Sequence, residues 1–108
     1  MTSTYHIERL NSNCTIAVKG ALTAILVPEL NEALKREMQQ GAHEVVFDLR
    51  DTEMLDSSGI GLLIASRNSL SRRGGMLRVI NPSEDVFELL GHMRLLSRLH
   101  VSPAMELH

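Results

Sequence analysis

Two short apolar runs constrain the fold of this chain more than any other feature. Residues 45–49 (VVFDL) and residues 76–80 (MLRVI) are rich in β-branched and aliphatic side chains, and a segment with helical periodicity lies between them. Such runs are typical of buried strands, and a helix between two of them favours a parallel, right-handed crossover. We therefore expect residues 45–49 to form a central strand that is covered on both faces and has parallel neighbours.

An antiparallel hairpin is predicted ahead of these runs. The turn-forming segment 11–13 (NSN) separates two partly alternating segments, residues 5–9 and 14–19. The second of these segments places three apolar side chains on one face: Cys14, Ile16 and Val18.

Three helices are indicated by their start and stop signals. The first begins at Pro28, which suits a first helical turn, and ends near Gly41. The second follows the cap-forming residues 56–58 (DSS) and ends at Gly74. The third begins after residues 81–83 (NPS), with acidic side chains in its first turn.

The predicted order of elements is ββαβαβαβ, with residues 50–55 as a loop and residues 99–101 as a last short strand. This order indicates an α/β fold, a mixed sheet with an N-terminal hairpin and helices packed on the sheet. The chain has 108 residues, which suits one domain over residues 1–108.

Composition excludes several function classes. The formal net charge is −2 and no basic stripe is present, so we expect no nucleic-acid partner. The single cysteine, Cys14, excludes an internal disulfide, and we expect it to be a small buried hydrophobe. We expect no metal site and no cofactor, because five histidines are scattered without ligand spacing: His6, His43, His92, His100 and His108. No signal-peptide pattern and no apolar stretch of roughly 18 residues occurs, so we expect a cytoplasmic protein without membrane insertion.

One motif carries a specific resemblance. The apolar strand 45–49, followed by residues 54–63 (MLDSSGIGLL), resembles the signature of STAS-domain anti-sigma-factor antagonists. Further features follow in family order: Gly20 before the first helix, Gly74-Gly75 before a strand, and the NPS start of the third helix. The resemblance therefore covers almost the whole chain and implies the STAS fold.

The resemblance also implies a function. In that family the serine directly after the aspartate is phosphorylated by a partner that is both an anti-sigma factor and a serine kinase, which makes Ser57 the implied acceptor. The unphosphorylated form binds this kinase and frees the sigma factor, and a metal-dependent serine phosphatase restores that form. A binding protein that is monomeric when free, and not an enzyme, is implied.

The residues themselves suit such a switch. A phosphate on Ser57 would lie at a helix N-terminus, where free N–H groups and the helix dipole accommodate negative charge. The same charge in a docked, desolvated interface would be costly. On the residues alone Ser58 remains a second candidate acceptor, since physics does not rank two adjacent hydroxyls at a helix start. A DSS cluster before a helix is also, by itself, an ordinary cap.

A docking surface beside the acceptor is predicted from the helical wheel. At 100° per residue, Ile60 and Leu63 fall on the inner face and Leu62 on the outer face. We expect partner contacts from the cap and from this outer side, made by Thr23, Asp56, Ser57, Ser58, Gly59, Leu62, Ser66 and Ser69. Gly59 and Gly61 are expected to allow close backbone approach.

One departure from the family pattern lies before the first helix. The family often has Gly-Glu-hydrophobic-Asp there, whereas this chain has Gly20-Ala21-Leu22-Thr23. Two acidic side chains are therefore absent near the expected docking region.

The runner-up function is a STAS scaffold that is not phosphorylated, in a membrane-associated assembly such as a lipid transporter. An enzyme with Ser57 as nucleophile is disfavoured, because the G-x-S-x-G elbow is absent.

Overall fold

A computed structural model of the chain describes residues 3–103. Its elements follow in the order ββαββαβαβ, with bounds β1 (Thr4–Leu10), β2 (Asn13–Leu22), α1 (Val27–Gln39), β3 (Glu44–Asp48), β4 (Thr52–Leu55), α2 (Ser57–Arg72), β5 (Met76–Ile80), α3 (Glu84–His92) and β6 (Val101–Ser102). The predicted α/β class, with its mixed sheet and N-terminal hairpin, is confirmed. Two expectations reach beyond the described residues: the single domain was predicted over residues 1–108, and His108 was one of the five scattered histidines. Residues 1–2 and 104–108 lie outside the described part.

The sheet runs in the order β1-β2-β3-β5-β6. β1 and β2 form the predicted antiparallel hairpin, and β3 lies at the centre with β2 and β5 parallel to it. The apolar face of β2 is buried as expected, since Cys14, Ile16 and Val18 are each at most 1% exposed.

The expectation that the central strand is covered on both faces is wrong. Burial alternates along β3, so that Val45 and Phe47 are fully buried while Val46 is only half-buried. β2 and β5 alternate in the same way. The sheet therefore has one face under the helices and one open face, where Arg78 and Glu44 form a partly exposed ion pair at 3.6 Å. A run of apolar residues is equally consistent with both arrangements, because Val46 suits an open β surface as well as a core.

The segment predicted as a loop contains the additional strand β4. β2 continues beyond an irregularity at Gly20 and Ala21, and its last residues pair in parallel with β4. The Thr52 hydroxyl, in a side chain that is 1% exposed, donates a hydrogen bond of 2.7 Å to the Val18 carbonyl. This strand has only four residues, and its pairing depends on a distant part of β2, which local sequence patterns do not reveal.

The helix ends follow the predicted signals. Pro28 lies in the first turn of α1, and Gly41 and Gly74 adopt positive φ just after α1 and α2. Ser83 caps α3, with its hydroxyl accepting a hydrogen bond of 3.1 Å from the Val86 N–H. Local start and stop signals were therefore sufficient to locate all three helices.

The rotation of α2 about its axis differs from the prediction. The expectation that Leu62 and Ser66 face outward is wrong, since each is only 4% exposed. The helix approaches the end of β2 closely: a Cβ added at Gly59 would lie 2.2 Å from the Leu22 carbonyl oxygen. This contact turns the face with Gly59, Leu62 and Ser66 toward the core, together with Ile60 and Leu63.

Candidate functional site

The site is built around Asp56, which links three segments of the chain. One carboxylate oxygen, Oδ1, accepts a hydrogen bond of 2.9 Å from the Gly59 N–H and caps α2. The other, Oδ2, accepts one of 3.0 Å from the Ala24 N–H, in the turn between β2 and α1. The Asp56 N–H donates to the Leu22 carbonyl at 3.3 Å. The start of α2 is thereby fixed to the end of β2 and to the following turn.

These bonds also stabilise the ionised form of Asp56. The hydrogen bond from the Gly59 N–H, and then that from the Ala24 N–H, lower the pKa of the Asp56 carboxyl below its ordinary value of 3.8. The carboxylate is ionised at neutral pH, as an unperturbed aspartate would be, and both of its oxygens accept hydrogen bonds from backbone N–H groups.

The two serines that follow differ in exposure. Ser57 is the first residue of α2 and is exposed, whereas Ser58 is half-buried. Both lie in the first helical turn, where N–H groups have no partner within the helix. Of the two serines, Ser57 is the more accessible to a macromolecule that approaches the start of the helix.

The two glycines of the motif have different surroundings. Gly59 is buried against β2, as expected for a close backbone approach. Gly61 is exposed, and a Cβ added there would have no atom within 4 Å apart from its chain neighbours and the backbone of its own helix. Within the described residues no other segment of the chain approaches Gly61 closely, and a close approach of a partner there stays a prediction.

The surface of α2 that faces away from the core begins at Ser57. Four small or polar residues follow one another along it at helical spacing, the first three exposed and the last half-buried: Ser57, Gly61, Ala65 and Asn68. We call these four residues the outer strip of α2. Ser69 lies on its flank, half-buried, and is about 18 Å along the helix from Ser57 at a rise of 1.5 Å per residue.

The turn before α1 adds two features to the site. Thr23 is half-buried, and its carbonyl accepts hydrogen bonds of 3.0 Å and 2.9 Å from the N–H groups of Leu26 and Val27. Ile25, within the same turn, is 92% exposed. Outside this turn, Met54 of β4, two residues before Asp56, is 51% exposed.

Sequence reasoning overlooked Ile25 and the outward position of Met54. Ile25 could have been noticed, because it is a large apolar residue placed just ahead of the helical periodicity that begins near Pro28. Nothing in the sequence marks Met54 as exposed, since its exposure depends on the pairing of β4 with β2.

Outside the Asp56 motif, the thiol of Cys14 is buried. Burial, and to a lesser degree the Glu37 carboxylate, raise the pKa of the Cys14 thiol to about 11, although Arg9 acts in the opposite sense. Within residues 3–103, no three His, Cys, Asp or Glu side chains are grouped so that they could hold a metal ion. No helix among these residues is long and apolar enough to cross a membrane.

Comparison with known proteins finds the same architecture in regulatory domains. An anti-sigma-B factor antagonist of Staphylococcus epidermidis is 31% identical over 91 residues, which are 84% of each chain. The anti-sigma factor antagonist SpoIIAA in its unphosphorylated form superposes with a TM-score of 0.84 at 22% identity, covering 95% of this chain and 90% of that one. Its phosphorylated form, from Bacillus, gives 0.78 at 19% identity, over 95% and 93%.

A more distant structure shares the fold alone. The murine anion transporter Slc26a9 superposes with a TM-score of 0.72 at 14% identity, covering 91% of this chain but 17% of the transporter. The sequence model of the STAS domain matches residues 4–107, which is nearly the whole chain. With the capped serine motif, the confirmed fold and this match together, the chain belongs to the STAS domain family.

Proposed function

We propose that this protein is an anti-sigma-factor antagonist that works by partner switching. Its unphosphorylated form binds an anti-sigma factor that is also a serine kinase, and this binding releases a sigma factor. Phosphorylation of Ser57 ends the binding, and a metal-dependent serine phosphatase restores it. The name of the Staphylococcus epidermidis relative supports the antagonist function. On this proposal the chain is a cytoplasmic, single-domain binding protein that is monomeric when free, and not an enzyme.

The observation that carries the proposal is the exposed hydroxyl of Ser57 at the head of the outer strip of α2. A kinase active site can reach this hydroxyl without any unfolding, because Ser57 is exposed and is the first residue of the helix. The half-buried position of Ser58 supports Ser57 as the acceptor. The outer strip gives the partner a surface of small side chains directly beside the acceptor.

Electrostatics explain how one phosphate could end binding and leave the fold intact. The Asp56 carboxylate is occupied by the Gly59 and Ala24 N–H groups, so it already has partners when a second negative group arrives. Other N–H groups of the first turn, and the positive end of the helix dipole, favour a phosphate there. The same charge of about −1.5 to −2 would be desolvated in a docked interface, which is costly without a matching cation.

The alternative is a STAS scaffold that is never phosphorylated, within a membrane-associated assembly. The likeness to Slc26a9 shows a shared fold, and this is the only support that it gives to the scaffold. A scaffold has no need of an exposed hydroxyl at position 57, and this is the reason for preferring the switch.

Intact mass measurement of protein purified from its native host tests the proposal. We expect a fraction of the protein to carry an additional ~80 Da, the mass of a phosphoryl group. This fraction should vanish in Ser57→Ala and persist in Ser58→Ala, which serves as the matched control. No added mass under any growth condition would favour the scaffold, and an added mass that only Ser58→Ala removes would reassign the acceptor.

A further inference from the structure

Ile25 has an exposure that the fold of this chain does not explain. It is 92% exposed, more than any other large apolar side chain among the described residues. Because so little of its surface is buried, it contributes little hydrophobic free energy to folding. It also lies in a turn that is held by backbone hydrogen bonds from Leu26 and Val27 to the Thr23 carbonyl. A large apolar side chain in such a position is available to a partner.

Hydrogen bonding fixes Ile25 close to the proposed phosphorylation site. Ala24 donates to the Asp56 carboxylate at 3.0 Å, and Ile25 and Ser57 are the next residues after these two. Adding two Cα–Cα steps of about 3.8 Å to this linkage gives at most about 16 Å between the Cα atoms of Ile25 and Ser57. A typical interface buries about 800 Å² on each partner, which corresponds to a disc of about 16 Å radius. A partner centred on Ser57 therefore reaches Ile25.

We propose that Ile25 is an apolar anchor for the kinase, which receives it in an apolar pocket beside its phosphoryl-transfer site. This proposal rests on the partner-switching function and adds a specificity determinant to it. Met54, two residues before Asp56 in β4 and 51% exposed, is a second and smaller contact.

The side chains around the anchor indicate the chemistry of the pocket. The turn that carries Ile25 contains no charged residue, since its other members are Thr23, Ala24 and Leu26. One acidic side chain follows closely: Glu29, in the first turn of α1, lies four residues after Ile25 and is exposed. Within residues 3–103 its carboxylate forms no ion pair. The partner that fits this surface has an apolar pocket with a basic residue at its rim.

Leu10 provides a matched control for the anchor. It is also apolar and 75% exposed, but it pairs with Asn13 at the beginning of β2, whereas the turn with Ile25 follows the end of β2 at Leu22. At about 3.3 Å per residue these two ends are about 30 Å apart. A partner centred on Ser57 does not reach Leu10.

The test measures the affinity of the purified host kinase for unphosphorylated wild type, Ile25→Ser and Leu10→Ser by isothermal titration calorimetry. We expect Ile25→Ser to lose roughly 10- to 100-fold in affinity, the value of burying one isoleucine side chain, and Leu10→Ser to lose none. Ile25→Val, which keeps most of the apolar surface, should lose less than about tenfold. All three variants should keep the thermal unfolding midpoint of wild type.

The possible outcomes separate the two proposals. If wild type binds the kinase and Ile25→Ser binds it equally well, the anchor is overturned and the partner-switching function stands. If Ile25→Ser and Leu10→Ser lose equal affinity for the kinase, the anchor is also overturned, because the kinase then binds exposed apolar side chains without specificity. Wild type that fails to bind the kinase overturns the proposed function itself.

Discussion

Replacement by alanine should change the free energy of unfolding in opposite directions at the two glycines near the start of α2. Gly59→Ala and Gly61→Ala each add one methyl group to the same helix, two residues apart. At Gly59 the new Cβ would lie 2.2 Å from the Leu22 carbonyl oxygen, whereas at Gly61 it would meet no atom within 4 Å apart from its chain neighbours and the backbone of its own helix. We expect Gly59→Ala to lower the free energy of unfolding and Gly61→Ala to raise it.

The magnitudes follow from these surroundings. Alanine is favoured over glycine in a helix by about 1 kcal/mol, so Gly61→Ala should stabilise by about 0.5–1 kcal/mol. At Gly59 an ordinary contact distance of 3.4 Å requires the helix start to move 1.2 Å (3.4 − 2.2) away from β2. The atom it meets is a backbone oxygen that cannot rotate away, so we take an overpacking cost of about 3 kcal/mol. Subtracting the helix preference leaves a net loss of about 2 kcal/mol.

Urea unfolding followed by circular dichroism measures both changes, with the slope of the transition as a check that each variant unfolds like wild type. The close approach of α2 to β2 would be refuted if Gly59→Ala were as stable as wild type. It would also be refuted if both substitutions changed the stability by the same amount.

Three further predictions concern single residues. The pKa of the Asp56 carboxyl is lowered in the folded state, so the ionised carboxylate stabilises the fold fully above the ordinary pKa of 3.8. This stabilisation is lost as the pH falls through that value toward the folded pKa. Asp56→Asn should therefore be less stable than wild type at neutral pH, and the difference between the two in urea titrations should shrink in acid. Cys14, buried and with its pKa raised to about 11, should react with a thiol reagent at pH 8 only after unfolding, and rapid labelling of native protein would contradict its burial. Leu62→Ala should lose about 2–5 kcal/mol of unfolding free energy in the same urea assay, whereas an outward-facing residue would lose almost none.

Local sequence signals predicted the elements of this fold well. The starts of α1, α2 and α3, and the ends of α1 and α2, were predicted because caps, proline and glycine act within one turn of a helix. The hairpin and the parallel neighbours of β3 were predicted because alternation and crossover handedness restrict the topology. β4 was missed, since it is short and its pairing with β2 depends on an irregularity at Gly20 and Ala21.

The candidate site was predicted less completely than the fold. The motif around Asp56 and Ser57 was recognised, and the structure adds the backbone donors at Gly59 and Ala24. The outward face of α2 was predicted incorrectly at Leu62 and Ser66. Many residues of α2 are Gly, Ala or Ser, so its apolar pattern does not define a single inner face. The close contact of Gly59 with Leu22 determines that face, and it is a tertiary contact that periodicity cannot reveal.

The partner-switching mechanism is tested most directly by the affinity of the host kinase for the protein before and after phosphorylation of Ser57. Phosphorylated protein should be prepared from Ser58→Ala, so that only one of the two motif hydroxyls is available, and unphosphorylated Ser58→Ala is the reference. We predict that the phosphate lowers the affinity by about 100-fold or more, through the cost of desolvating its charge, and that the phosphorylated protein keeps a cooperative thermal transition. Equal affinity of the two forms, or an affinity loss that occurs only together with unfolding, would contradict the mechanism.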